Sequence, residues 1–130
     1  MTTNYKVELI RKGDSFMNVK TKAGEFTIDL DGKEYPAPLE VLLASLGACM
    51  SFYIRKFINS LNIPFDIFKV QVDADLILEG GYKFKKINVS IDTDGAVLDD
   101  AKKLSLIQFV KNCPVHNTLR SQPEIEVNVL

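Results

Sequence analysis

The chain of 130 residues has no tryptophan, one histidine and only two cysteines. Two cysteines are too few for the disulfide framework of a small secreted domain. Cysteines and histidine together give three ligands, one short of a tetrahedral zinc set, so no metal centre is expected. Charge of either sign is not in excess: 16 Lys and Arg stand against 17 Asp and Glu, a net charge of −1. The basic residues are scattered, and no basic face interleaved with aromatics suggests a nucleic-acid surface. The N-terminus lacks the apolar core of a signal peptide. The longest charge-free run, Val41 to Ile54, has 14 residues. As a helix it would cover about 21 Å, less than the ~30 Å of a bilayer interior. The expectation is one cytoplasmic domain spanning residues 1–130, with no membrane or nucleic-acid partner.

Against these absences stands a clear order of elements. Residues 4–20 alternate polar and apolar around the turn "RKGDS", the pattern of a β-hairpin. "EFTIDL" is a third strand, closed by Asp31-Gly32, where glycine accepts a positive φ. From Leu39 the period changes. Leu39, Leu42, Leu43, Leu46, Met50, Tyr53, Ile54, Phe57 and Leu61 recur at spacings of three and four, which predicts a long helix. Pro38 suits its first turn, Glu40 favours its positive end, and Pro64 would stop it. Its first half is apolar nearly all round, so neighbours should bury it on several sides.

Two further strands are expected from "FDIFKVQVDADLIL" and "YKFKKINVSIDT", joined by "EGG". "DGAVLDDAKKLSLIQFVKN" reads as a second helix with Val97, Ala101, Leu104, Ile107 or Leu106, and Val110 on one stripe. "CPVHNTLRS" gives a short third helix and "PEIEVNVL" a final strand. Strands come in hairpins and are not separated one by one by helices, so the class is α+β with antiparallel sheets.

Cys49 lies in "LLASLGACMSFY" and Cys113 in "KNCPVHNTL". An isolated cysteine in an apolar helix is usually a small packing group. A useful nucleophile needs its thiolate stabilised, and Cys49 lies too far along its helix for the dipole to help. Arg11, at the end of the first strand, is the first candidate cation, with Arg55 and Lys56 behind it. Glu40 precedes Cys49 by nine residues and projects to the opposite side of the same helix. It either caps the helix or acts indirectly, through an arginine, a bend near Pro38 or a second copy. Cys113 precedes Pro114 at a helix start, where backbone N–H groups can lower a thiol pKa. His116 follows one turn later, as a partly exposed helix residue or as a base. Gly47 costs about 1 kcal/mol relative to alanine inside a helix, so a close neighbour is expected there.

The "P-x-E-x-L-L-x-x-x-G-A-C" helix at residues 38–49 and the "C-P-V" turn at 113–115, set among these elements, resemble the OsmC/Ohr family of thiol-dependent peroxidases. The resemblance implies a two-layer α+β fold. It also implies an intertwined homodimer with long central helices and active sites at the subunit boundary. Cys49 would then be the peroxidatic cysteine attacking an organic hydroperoxide. Cys113 would be the resolving one, with a dithiol as reductant and no cofactor. The best-characterised members place a carboxylate ten residues before the first cysteine, where it holds an arginine beside the sulfur. Here that position is Leu39, and Glu40 stands one place later. The rival expectations are a small-molecule or partner-binding module with inert thiols on the same dimeric scaffold and, more distantly, a metal-dependent hydrolase.

Overall fold

The computed structural model describes residues 2–63, 67–93 and 96–130. The expected helix stop at Pro64, the strand start at Phe65-Asp66 and the helix start at Asp94-Gly95 lie outside them. The element order is β1 (Glu8–Arg11), β2 (Phe16–Thr21), β3 (Gly24–Asp29), α1 (Pro38–Ser60), β4 (Lys69–Leu78), β5 (Tyr82–Asp92), α2 (Asp100–Val110) and α3 (Pro114–Ser121). It is an α+β chain with antiparallel sheets and one long helix. Contacts cluster in two compact units, Met1–Leu43 and Ala44–Leu130.

In the first unit β1, β2 and β3 form an antiparallel meander, with Leu9 opposite Val19 and Val19 opposite Phe26. The loop after β3 is organised by a buried carboxylate. Asp29 is 1% exposed and accepts the backbone N–H groups of Asp31 (2.9 Å), Lys33 (3.1 Å) and Glu34 (2.9 Å). These bonds, the Glu34 one foremost, hold its acid form well below the usual carboxylate range, against the opposing effect of burial. Gly32 sits in the loop at φ 65°. A Cβ there would also come within 3.0 Å of Ala37 Cβ, so both backbone and space require glycine.

The second unit puts most of α1 and the two later helices with the β4–β5 hairpin. In β4 and β5 alternate residues turn inward, pairing Val70 with Ile91, Val72 with Val89 and Ala74 with Ile87. Leu46, Met50, Ile54 and Ile58 of α1 join Ala96, Leu98, Leu106, Val110 and Cys113 in one buried core. Gly47 lets the helix lie close on the sheet: a Cβ there would approach Val72 Cγ2 to 3.0 Å and Val70 Cγ1 to 3.7 Å. Tyr53 and Phe57 meet Phe109 of α2 at centroid distances of 5.6 and 6.1 Å.

Three expectations need correction. First, α1 runs for 23 residues and by length and composition alone could cross a membrane; instead one of its stripes packs into the core. Among the described residues that face packs on the β4–β5 hairpin, the Ala96–Leu98 stretch, α2 and the start of α3, while Phe52 on another side stays 49% exposed. Second, α2 begins at Asp100, capped by Asp99, whose side chain accepts the Lys102 N–H at 2.8 Å. Residues 96–99 are therefore not helical, and the stripe shifts. Leu98, Leu106 and Val110 are buried, while Val97 and Leu104 face out. Third, the final segment forms no strand. Ile125, Val127 and Val129 keep their alternation but are exposed, Val127 by 83%. The pattern suits a strand, and among the described residues no strand edge is paired with it.

Candidate active site

Each cysteine is placed by a different local rule. Cys49 lies on α1, half-buried, one residue from the core stripe and packed against the core cluster. Cys113 follows the last turn of α2 and is the N-cap of α3. Proline at the first helical position continues without a donor that would need a partner. The Cys113 sulfur fills the cap position and accepts the backbone N–H of His116 at 3.4 Å. Cys113 is fully buried.

The fold brings the two thiols together. Although 64 residues separate them, Cys49 packs against the buried cluster that contains Cys113 and lies near enough to raise its thiol pKa, and both are free thiols. Burial pushes the Cys113 thiol pKa up, and the neighbouring Cys49 pushes it further. The N–H groups of His116 and Val115 pull the other way and do not prevail. The helix start at Cys113 is thus a correction to the expectation of a favoured thiolate. The N–H groups are there, but removing the sulfur from water outweighs them. Cys113 stays a protonated thiol under conditions where a solvated cysteine begins to ionise. Of the pair, the half-buried Cys49 is the one a reagent can reach.

The other expected residues are engaged elsewhere. Glu40 Oε1 accepts the Ala37 N–H at 2.9 Å, the backward half of a capping box at the start of α1. Arg11 binds its own turn: Nε donates to Gly13 O (2.8 Å), and Nη2 to Asp14 O (3.1 Å) and Asp14 Oδ1 (3.2 Å). Arg55 and Lys56 stand over the Phe52 ring at 5.5 and 5.9 Å. His116 touches the sulfur through its backbone, while its ring Nδ1 meets Asn117 Oδ1 at 3.3 Å. Among the described residues no group of three Cys, His, Asp or Glu could hold a metal ion.

Beside this pair the second unit holds a groove of about 420 Å³, bordered by α1, β5, α2 and α3. Its basic edge includes Lys111 and Arg120, which the sequence does not single out. Each stands alone in the chain between uncharged neighbours, and only the fold brings both to one groove.

Residues 30–128 match the family model described as OsmC-like protein. A comparison with curated protein sequences finds no match. Among solved structures, an OsmC-like protein from Mycoplasma pneumoniae is 25% identical with a TM-score of 0.76, the alignment covering 100% of this chain and 98% of that one. The organic hydroperoxide resistance protein OhrB of Bacillus subtilis is 20% identical, with a TM-score of 0.59 and coverage of 89% and 91%. An organic hydroperoxide resistance protein OsmC from Legionella pneumophila is also 20% identical, with a TM-score of 0.61 and coverage of 92% of both chains. The two likenesses at 20% speak for the fold, and the family model spans three quarters of the sequence, including both cysteines. The chain belongs to the OsmC family.

Proposed function

We propose that the protein is a homodimeric, cysteine-based peroxidase of organic hydroperoxides, working as a single OsmC-like domain in the reducing cytoplasm. One observation carries this reading: two free thiols from distant parts of the chain are neighbours in the second unit, one half-buried and one buried. The Cys49 thiolate attacks the outer oxygen of ROOH. The O–O bond breaks, ROH leaves after taking up a proton, and the sulfur is oxidised to the sulfenic acid. Cys113 then attacks that sulfur, and its proton leaves with the hydroxyl as water as the disulfide forms. An external dithiol restores both thiols by exchange and is itself oxidised to a disulfide. No cofactor enters this cycle. Leu46, Met50, Phe52 and Tyr53 around Cys49 suit an organic R group.

The dimer part of the proposal is supported by unpaired apolar surface. The outer side of α1 and the alternating tail Ile125, Val127 and Val129 are exposed in one copy, as expected for a self-complementary interface.

A second reading, a binding module with inert thiols, is favoured by a specific feature. Arg11 and Glu40 serve their own turn and helix start, and the groups that favour the Cys113 thiolate are backbone N–H groups, not a cation.

Purified protein given cumene hydroperoxide and dithiothreitol separates the two. The peroxidase reading expects turnover that disappears in Cys49→Ser. One equivalent of hydroperoxide should make the intact protein lose two hydrogens, a change blocked by Cys113→Ser. Absence of turnover, or full turnover in Cys49→Ser, would leave the binding reading in possession.

A further inference from the structure

Neither cysteine lines the 420 Å³ groove of the second unit, so a ligand held there can be tested apart from the thiol chemistry, although Leu46 and Met50 serve both readings. The floor of the groove is apolar. Leu46 and Met50 come from α1, and Ile87, Val89 and Ile91 from the inward face of β5. The volume falls within the roughly 300–1,000 Å³ of small-ligand sites, which are mostly apolar with a few placed polar groups.

Those polar groups are of one kind. Lys85, Lys111, His116 and Arg120 border the groove, and no carboxylate is among the lining residues. Lys85 is already paired with Glu79 at 3.5 Å. Lys111 closes α2 and Arg120 lies in the last turn of α3. Neither has an ion-pair partner among the described residues. A β-bulge helps to shape the site. Between the pairs Ala74–Ile87 and Leu76–Phe84 the second strand carries one extra residue, so Phe84 and Lys85 both reach the edge. The extra residue in a bulge re-aims side chains in this way.

An apolar trough whose lining includes two cations outside any ion pair among the described residues complements a ligand with a hydrocarbon body and an anionic head. We infer that the groove binds a single-chain carboxylate amphiphile, its head on Lys111 and Arg120 and its tail along Leu46, Met50 and Ile87 to Ile91. The planar guanidinium of Arg120 matches a carboxylate in two-point fashion. The Lys111 ammonium adds a second charge from the neighbouring helix.

The probes are decanoate and decyltrimethylammonium, which share a tail length and differ in the sign of the head. Isothermal titration calorimetry on the full chain, below the micelle threshold, should show decanoate binding at least about tenfold tighter, and weaker as salt is raised. Lys111→Gln combined with Arg120→Gln, both at exposed positions, should remove about that tenfold preference. Leu119→Gln, on the groove wall, should weaken both probes together. Cys49→Ser should bind decanoate as the native chain does, whether or not it has lost peroxidase activity. Equal binding of the two probes, or an unchanged preference in the double variant, overturns the inference. So does the absence of decanoate binding, which is the result expected if a second copy covers the groove.

Discussion

Asp29 shows how much one buried side chain can organise. It collects three backbone donors from the loop between β3 and α1. Because its pKa in the folded chain is lowered, the stability it contributes is present above the unfolded value of about 4. That contribution is lost as pH falls below this value toward the folded one. Asp29→Asn keeps one acceptor and places an N–H₂ among N–H donors, so the variant should melt earlier at neutral pH. The gap to the native protein should close as pH drops below about 4, read by thermal melts across that range. A gap that does not change with pH would show that the carboxylate charge is not what the loop uses. The sequence "IDLDGKE" carries this signal, since Asp and Asn commonly bind backbone two residues ahead. The more conspicuous Asp31-Gly32 pair masks it. Cys49 and Cys113 are legible as candidates from their settings. The pKa environment of Cys113 is not, because it depends on which side chains exclude water from it.

At the scale of elements, α1 reads clearly because apolar residues at three- and four-residue spacing have no other economical explanation. Its glycine reads equally well: Gly47 implies a close neighbour, and Val72 is that neighbour. Gly47→Val would drive a branched side chain against Val72 and Val70. Overpacking of this kind costs about 1–3 kcal/mol, so a lower denaturant midpoint with an unchanged slope is expected; an unchanged midpoint would mean that α1 can lift off β4 at no cost. The second helix is harder to place. Its apolar residues fit two registers, and the choice turns on whether the chain is already helical at Val97. The Asp99 cap decides that, starting the helix at Asp100 and leaving Leu98 to enter the core from an extended stretch.

For the whole molecule, the α+β class follows from the grouping of strands into hairpins. What a single chain leaves undone does not. The last eight residues have a strand's alternation and, among the described residues, no partner strand. If a second copy covers them and the outer side of α1, sedimentation at micromolar concentration should give twice 14.6 kDa. Val127→Asp with Val129→Asp should move the protein toward the single-chain mass; a native protein that sediments as one chain rejects the dimer. Residues whose partners lie in the same chain can be read in sequence order. Those awaiting another molecule can be read only as unexplained exposure.

The position of Cys113 at the head of α3 dictates how its role has to be probed. Alanine there would remove the acceptor of the His116 N–H along with the thiol, and losing a cap of this kind commonly costs about 1 kcal/mol. Any deficit would then mix helix fraying with lost chemistry. Serine keeps an oxygen at the same place and is a preferred residue for starting a helix. Of the two exchanges, only serine separates what the sulfur does as a reagent from what it does as a fastening.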